Sequence, residues 1–364
     1  MNILFCGGGT VGHITPAIAI AEEFKKQHKD INIAFVGRSL GNENEVIRSR
    51  GYKLYEIEIS GLIRKLTLKN LKVIKNIFAA EKEAKKIIKD FGADAVIGTG
   101  GYVCFPVIRA ASKLGIFTAI HESNSTLGLS SKLLSKKCDT MLLGAESLIT
   151  RKNSIYTGNP ISDAFYKTDK KTARRTLRIS ENQFFILSVG GSIGSEKLNE
   201  ACLGMMKTFS LERRNTVHYH LSGKRYYEAI KEKYPELISK NRKCTVFPFT
   251  DKMPIYLSAA DLVISRCGAM TLSEISASKS ASILIPSPNV TGDHQTKNAI
   301  HFTEHGASIM INEKDLSKDV LITITEDLIN NPDKLQKMSE NAFRLSSPDS
   351  AKKIVNIIEN QVRT

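Results

Sequence analysis

MNILFCGGGTVGHITPAIAIA at residues 1–21 and FFILSVGGSIGSEKLNEA at residues 184–201 follow one plan: an apolar run, a glycine-rich turn, then a helix-length stretch. A near-continuous apolar run is what a strand buried on both faces requires, and strand, turn and helix form the first half of a parallel βαβ unit. Two such openings, half a chain apart, predict two Rossmann-like α/β domains. Working outward, residues 2–5, 31–36, 95–97, 117–120 and 140–143 read as buried strands in the first half. Residues 184–189, 217–222, 244–247, 262–265 and 282–285 read so in the second. Amphipathic segments such as 16–27 and 68–89 lie between them. The polar stretch 158–171, headed by Gly158-Asn159-Pro160, reads as the linker, which divides the chain into 1–162 and 163–345.

The bulk numbers agree with this reading. A chain of 364 residues holds about two domains at roughly 150 residues each. With 41% hydrophobic and 24% charged residues, wholesale disorder, collagen and coiled coil are excluded. No apolar run approaches the roughly 18 residues of a spanning helix, and MNILFCGGG lacks the parts of a secretion signal. The six cysteines are scattered without a C-x-x-C pair, so neither a disulfide framework nor a zinc ribbon is expected, and a reducing cytoplasm fits.

Lys and Arg number 52 against 37 Asp and Glu, a net +15 that attracts polyanions or an anionic membrane surface. A nucleic-acid binder would need aromatic stacking platforms, and the chain has no Trp, 7% aromatic residues and no reader motif. Nucleic acid is therefore not an expected partner. Residues 62–78 carry Arg64, Lys65, Lys69, Lys72 and Lys75 with no acid. Lys65, Lys69 and Lys72 share one helical face and Leu71, Ile74 and Phe78 another. That pattern suits a basic helix on anionic headgroups as well as an ordinary solvated surface helix.

Gly7, Gly9 and Gly12 satisfy G-x-G-x-x-G, but Thr15-Pro16 reads as the cap and first residue of a helix beginning beyond the last glycine. The second strand ends in Val36-Gly37-Arg38, with no acid for a ribose hydroxyl, although Arg38 could meet the 2′-phosphate of NADP. The turn offers close backbone approach and free N–H groups, and His13 beside them is a candidate base. Residues 190–194 satisfy G-x-S-x-G, and a hydrolase triad of Ser192, Asp261 and His294 or His301 can be written. It leaves the matching turn at the N-terminus unexplained. SRCGAMTLSE at 265–274 opens a helix whose first amides suit a pyrophosphate, with Glu274 placed to accept hydrogen bonds from a ribose diol. The polar loop 289–299, with His294 and Gln295, offers donors for sugar hydroxyls at the same expected sheet edge.

These stretches, with GTGGYVCFP at 98–106, HESNSTLGL at 121–129, TGNPI at 157–161 and GDHQTKNA at 292–299, occur in the order and spacing of the MurG family, and the chain resembles that family along nearly its whole length. The resemblance implies a GT-B fold, two Rossmann-like parallel-sheet domains facing across a cleft. The first would be the acceptor and membrane-facing domain, with a C-terminal helix at about 346–364 packing back on it, and the second the UDP-GlcNAc domain. It implies an inverting hexosyltransferase that moves GlcNAc from UDP-GlcNAc to the C4 hydroxyl of MurNAc in undecaprenyl-linked lipid I. The product would be lipid II for peptidoglycan and cell wall synthesis, cell shape and division. The rival within the fold is a UDP-GlcNAc 2-epimerase.

By match to the family, His13 would be the base, with Glu122 as its rival. Thr10, Val11, Gly12, Asn124 and Gln295 would contact the GlcNAc side of the donor. Ser192, Thr250 and Ala269, Met270, Thr271, Leu272, Ser273 and Glu274 would hold UDP. Gly100, Gly101 and Tyr102 would line the acceptor's diphosphate region. No D-x-D triplet is present, in keeping with chemistry that needs no metal or cofactor. A lipid-borne acceptor implies a peripheral place on the cytoplasmic face of the cell membrane and favours the membrane reading of 62–78. One departure stands out: many members carry arginine after the Gly-Asn-Pro turn, whereas Ile161 and Ser162 follow Pro160 here.

Overall fold

The computed structural model describes residues 1–41, 43–59, 69–149, 152–191, 193–213, 215–238 and 243–362. Two compact units emerge, Met1–Ile161 with Asp349–Thr364, and Ser162–Pro348. In the first, β1 (Asn2–Cys6), β2 (Asn32–Arg38), β3 (Lys53–Ile57), β4 (Ala95–Gly98), β5 (Phe117–Glu122), β6 (Thr140–Leu143) and β7 (Ser154–Tyr156) form a seven-stranded sheet. Their order is β3-β2-β1-β4-β5-β6-β7, and every pairing is parallel. In the second, β8 (Phe184–Val189), β9 (Thr216–Leu221), β10 (Cys244–Phe247), β11 (Leu262–Ser265), β12 (Ala281–Leu284) and β13 (Ser308–Met310) form a parallel six-stranded sheet. Its order is β10-β9-β8-β11-β12-β13. Both sheets therefore reverse direction of growth beside the strand that precedes a glycine-rich turn, at β1/β4 and at β8/β11. Such switch points are where open parallel sheets bind ligands.

Strand β1 shows why an apolar run becomes a central strand. Its side chains alternate, so Leu4 and Cys6 join one core with Val96, Ile108 and the Ala80, Ala84 and Ile88 stripe of helix Lys69–Phe91. Ile3 and Phe5 join the other with Ile14 and Phe24 of helix Val11–Gln27 and Ile354, Val355 and Ile358 of helix Ser350–Val362. Burial on both faces leaves no position for a polar side chain, hence the unbroken run.

Two expectations are corrected. The first helix begins at Val11 with Thr10 as its N-cap, not at Pro16, which sits inside it. A proline at the sixth helical position removes one N–H from the ladder and leaves the Gly12 carbonyl without its usual donor. Burial of Ile14, Pro16, Ala17, Ile18, Ile20 and Phe24 outweighs that loss. Strands β3, β7 and β13 were absent from the sequence reading; each lies at or next to a sheet edge and is half-buried, so it lacks the apolar run that marks the others. Ser192 and residues 60–68, with Arg64 and Lys65, lie outside the described residues. Among the described residues no helix is long and apolar enough to cross a membrane.

Candidate active site

In the first unit the carboxyl ends of β1, β4 and β5 carry the candidate residues side by side. The turn after β1 meets the turn after β4 backbone to backbone, with Gly8 N–H donating to Gly100 O at 3.3 Å. Gly101 has φ +81°, and a Cβ there would stand 1.9 Å from the Gly8 carbonyl oxygen, so only glycine fits. Tyr102 closes the same corner, its ring edge 3.4 Å from where a Gly9 Cβ would be. Gly9 N–H is held by the buried Glu43 carboxylate at 2.6 Å. Thr10 is exposed, and the N–H groups of Val11 and Gly12, in the first helical turn, have no intrahelical acceptor.

His13 stands on that first turn. Its carbonyl accepts from Thr99 Oγ1 at 2.6 Å, and its ring lies so close to Gly100 that a Cβ there would sit 2.4 Å from Nδ1. Nδ1 is buried and has no hydrogen-bond partner. Burial lowers the imidazole pKa below its ordinary value, partly opposed by the negative charges of Glu122 and Glu43. The ring is neutral at pH 7 and able to accept a proton. Glu122, at the end of β5, is buried and already engaged. One oxygen accepts from Asn124 N–H at 3.1 Å and Asn124 Nδ2 at 3.0 Å, the other from Gly128 N–H at 2.9 Å. The neighbouring His121 is fully buried, bonded from Nε2 to Gly158 O at 3.1 Å, and burial pushes its pKa down to about 4.

In the second unit the carboxyl ends of β8 to β12 carry the rest. Gly191 and Gly194 have φ of +87° and +91° in the turn after β8. Thr250 follows β10, its hydroxyl accepting from Lys252 N–H at 3.1 Å. After β11, Gly268 caps helix Ala269–Ala277. Met270 and Leu272 are buried, and the Leu272 N–H bonds to Gly268 O at 3.0 Å. What that run offers a ligand is therefore the first amides of the helix and the side chains of Thr271, Ser273 and Glu274. Glu274 is partly exposed and burial pushes its carboxyl up to about 8, because no cation or donor among the described residues compensates the lost solvation. Gln295 spends Oε1 on Cys267 N–H at 3.3 Å and Ser287 N–H at 2.9 Å. That orientation leaves its amide nitrogen as the donor.

Sequence reasoning missed Arg266 at this edge and Glu43 in the first unit. Arg266 donates through Nη1 to Ile285 O and Pro286 O, both at 3.2 Å, and through Nη2 to Ser195 Oγ and Glu313. One guanidinium thus pins three ligand loops together. Glu43 performs the corresponding task at Gly9. Glu43 reaches back 34 residues and Arg266 bridges separations of 19 to 71, so no local spacing announces them. The hydrolase triad is not formed. Asp261 lies at the opposite, amino edge, where Lys170 at 2.6 Å, Arg174 and Phe185 N–H at 2.7 Å occupy it.

The comparisons with known proteins agree along the whole chain. Residues 3–143 match the glycosyltransferase family 28 N-terminal domain and residues 185–354 the family 28 C-terminal domain. The UDP-N-acetylglucosamine–N-acetylmuramyl-(pentapeptide) pyrophosphoryl-undecaprenol N-acetylglucosamine transferase of Thermoanaerobacter sp. (strain X514) is 40% identical, over 99% of this chain and 100% of its own. Among solved structures, Acinetobacter baumannii MurG superposes with a TM-score of 0.73 at 26% identity, covering 99% of both chains. The UDP-GlcNAc 2-epimerase of Neisseria meningitidis, bound to UDP-GlcNAc, reaches 0.68 at 17% identity over 99% of this chain and 100% of that one, a likeness of fold.

Proposed function

The chain belongs to glycosyltransferase family 28 and within it to the MurG transferases, and on that footing we propose how its residues carry out the transfer. The enzyme moves GlcNAc from UDP-GlcNAc to the C4 hydroxyl of the muramyl sugar of lipid I, with inversion at the anomeric carbon. His13 takes the proton of the attacking hydroxyl. A neutral ring packed against Gly100, with an unpartnered nitrogen, supports that role. Glu122 holds the Asn124–Gly128 loop in place and offsets the charge of the imidazolium that forms, its lone pairs being already committed to three N–H groups.

The leaving UDP gathers negative charge. Helix N-termini and glycine turns at the β8/β11 edge stabilise it, and Glu274 accepts the ribose hydroxyls. In the first unit Thr10, Val11, Gly12 and Asn124 offer donors to a sugar, and Gly100, Gly101 and Tyr102 meet the acceptor diphosphate; in the second unit the Gln295 amide nitrogen offers a donor to a sugar hydroxyl. The observation that carries this reading is the pair of N–H-rich turns, each at the switch point of its own sheet, in a chain that matches named transferases end to end.

Labelled UDP-GlcNAc with a short-chain lipid I analogue tests it. The expected products are UDP and a disaccharide-lipid; release of a 2-epimerised sugar without acceptor would favour the epimerase reading. The undecaprenyl chain brings the enzyme to the cytoplasmic membrane surface, and the basic run containing Lys65, Lys69, Lys72 and Lys75 meets anionic headgroups there. Replacing the four lysines by glutamine should weaken binding to anionic vesicles; unchanged binding would retire that contact.

A further inference from the structure

Beneath the glycine turn of the second unit lies a buried chain of polar side chains that the transfer mechanism does not use. Ser188 on β8, His218 and His220 on β9 and Asn199 on helix Glu196–Met205 are all at most 3% exposed. Ser188 Oγ lies 2.8 Å from His218 Nε2 and 2.7 Å from His220 Nδ1. His220 Nε2 lies 3.1 Å from Asn199 Oδ1, and Asn199 Nδ2 donates to the Ser222 carbonyl at 3.0 Å.

The direction of every bond in this chain follows from its last member. A carbonyl only accepts, so Asn199 presents its nitrogen to Ser222 and its oxygen to His220. His220 must then carry its proton on Nε2, which leaves Nδ1 bare in the neutral ring. The Ser188 hydroxyl fills it by donating, and so must itself accept from a protonated Nε2 of His218. Burial keeps both rings neutral, holding His220 down at about 3 and His218 well below its ordinary value. Two histidines, a serine and an asparagine thereby form one oriented file of hydrogen bonds, with its donor end on Ser222.

Ser222 is where the file reaches the ligand edge. Its carbonyl is so close to Gly194 that a Cβ there would stand 2.2 Å away, and a Cβ on Gly223 would stand 2.3 Å from Gly194 N. Asn199 also donates its own N–H to Ser195 O at 2.8 Å. A trans peptide carries C=O and N–H on opposite sides. Turning the Ser222 carbonyl inward to Asn199 therefore turns the Gly223 N–H away from it.

We propose that the Ser188–His218–His220–Asn199 file is a positioning device: it fixes the Ser222–Gly223 peptide, which abuts Gly194 of the glycine turn, in the orientation that presents the Gly223 N–H to the diphosphate of the donor. This rests on the reading of the β8/β11 edge as the UDP site. None of the four touches the nucleotide; they act through Ser222, Gly223 and the turn. Sheet-buried histidines serve here as orienting elements because a neutral ring is both donor and acceptor, which no apolar residue can reproduce.

Shape-matched substitutions separate orientation from packing. Asn199→Asp keeps the volume but removes the donor to Ser222. Ser188→Val and Ser188→Thr have equal size, and only the second retains the hydroxyl. Calorimetric UDP binding should weaken about tenfold in Asn199→Asp and Ser188→Val, while Ser188→Thr stays within about twofold of wild type. The loss should fall on KM for UDP-GlcNAc, with kcat and KM for the acceptor analogue nearly unchanged. Equal UDP affinity in the valine and threonine variants would overturn the proposal, as would a uniform fall in all constants that tracks melting temperature. Nitrogen-15 spectra of histidine-labelled wild type test the wiring without mutation: neutral Nε2–H forms for both rings are expected, and an Nδ1–H form of His220 would overturn it. Wild-type protein that fails to bind UDP would instead sink the reading of the site, and the proposal with it.

Discussion

Two residues give the site opposite responses to pH. His13 has a lowered pKa, so as pH falls it stays neutral past the point where an ordinary histidine has charged. The acid limb of kcat, read at saturating UDP-GlcNAc, should therefore lie below pH 6.5, and His13→Ala should lower kcat by roughly 10² to 10⁴ while leaving UDP affinity intact. Near-normal turnover in that variant would remove His13 as the base. Glu274 behaves in the reverse sense. With its carboxyl raised to about 8, the free enzyme holds it protonated at neutral pH, and a ribose diol that binds the carboxylate must displace a proton. UDP affinity should rise with pH until about 8, with proton uptake by the buffer on binding below that value. Glu274→Gln should bind UDP at pH 6 much as wild type does and fall behind above pH 8. The unliganded stability runs the other way. A raised carboxyl contributes most favourably below its unfolded pKa of about 4.3, and that contribution is lost as pH rises through about 8. The glutamine variant should thus melt higher than wild type above pH 8, which differential scanning at pH 6 and 8.5 would read.

Among the elements, the glycine turns divide into positions that need glycine for space and positions that need it for backbone alone. Gly101 needs both, since an added Cβ would overlap the Gly8 carbonyl at 1.9 Å, whereas Gly191, at φ +87°, has nothing within 4 Å. Gly191→Ala should cost about 1 kcal/mol of backbone strain, readable in a denaturant midpoint. Gly101→Ala must push the Gly7–Gly9 turn off β4 and should cost more than twice that, with acceptor KM rising; equal effects would mean the two turns do not abut. The same distinction explains what the sequence disclosed. Nine interior strands were visible because burial on both faces demands apolar runs, as in Phe184–Val189, and the edge strand Cys244–Phe247 was visible as well. Lys53–Ile57 and Ser154–Tyr156 were not, because a half-exposed strand admits Lys53, Glu56 and Ser154. The start of the first helix was misread because Thr15-Pro16 carries a helix-opening signal, while the true cap, Thr10, is set by where β1 ends. At the candidate site, the places of His13 after β1 and Glu274 after β11 were legible since each lies within its own motif, and their roles are proposals. Arg266, Glu43 and the His218–His220 file were not, since their meaning resides in partners that only the sheet brings near.

On the scale of the whole molecule, the chain leaves the first unit at Ile161 and returns to it at Asp349. The returning helix Ser350–Val362 is part of the first unit's core, not an appendage. Ile354, Val355 and Ile358 are completely buried against Ile14, Phe24 and the β1 face, and His28 is paired with Glu359. Lys353 lies over the Tyr156 ring at 5.7 Å from its centroid. Burying three aliphatic side chains contributes about 1.5–3 kcal/mol each, a sum comparable to the entire stability of many domains. A first unit cut at Ile161 would lack that cover on one face of its sheet. Residues 1–161 alone should therefore be expanded and bind a hydrophobic dye, whereas residues 1–161 joined by a flexible linker to 349–364 should melt cooperatively. A milder version leaves the chain whole: Ile354→Asp, which places a charge in that core, should lower the melting temperature of the first unit's transition and leave UDP affinity of the second unchanged. If residues 1–161 fold cooperatively without the helix, the strap is dispensable, and the order first unit, second unit, first unit needs another cause than the closing of this core.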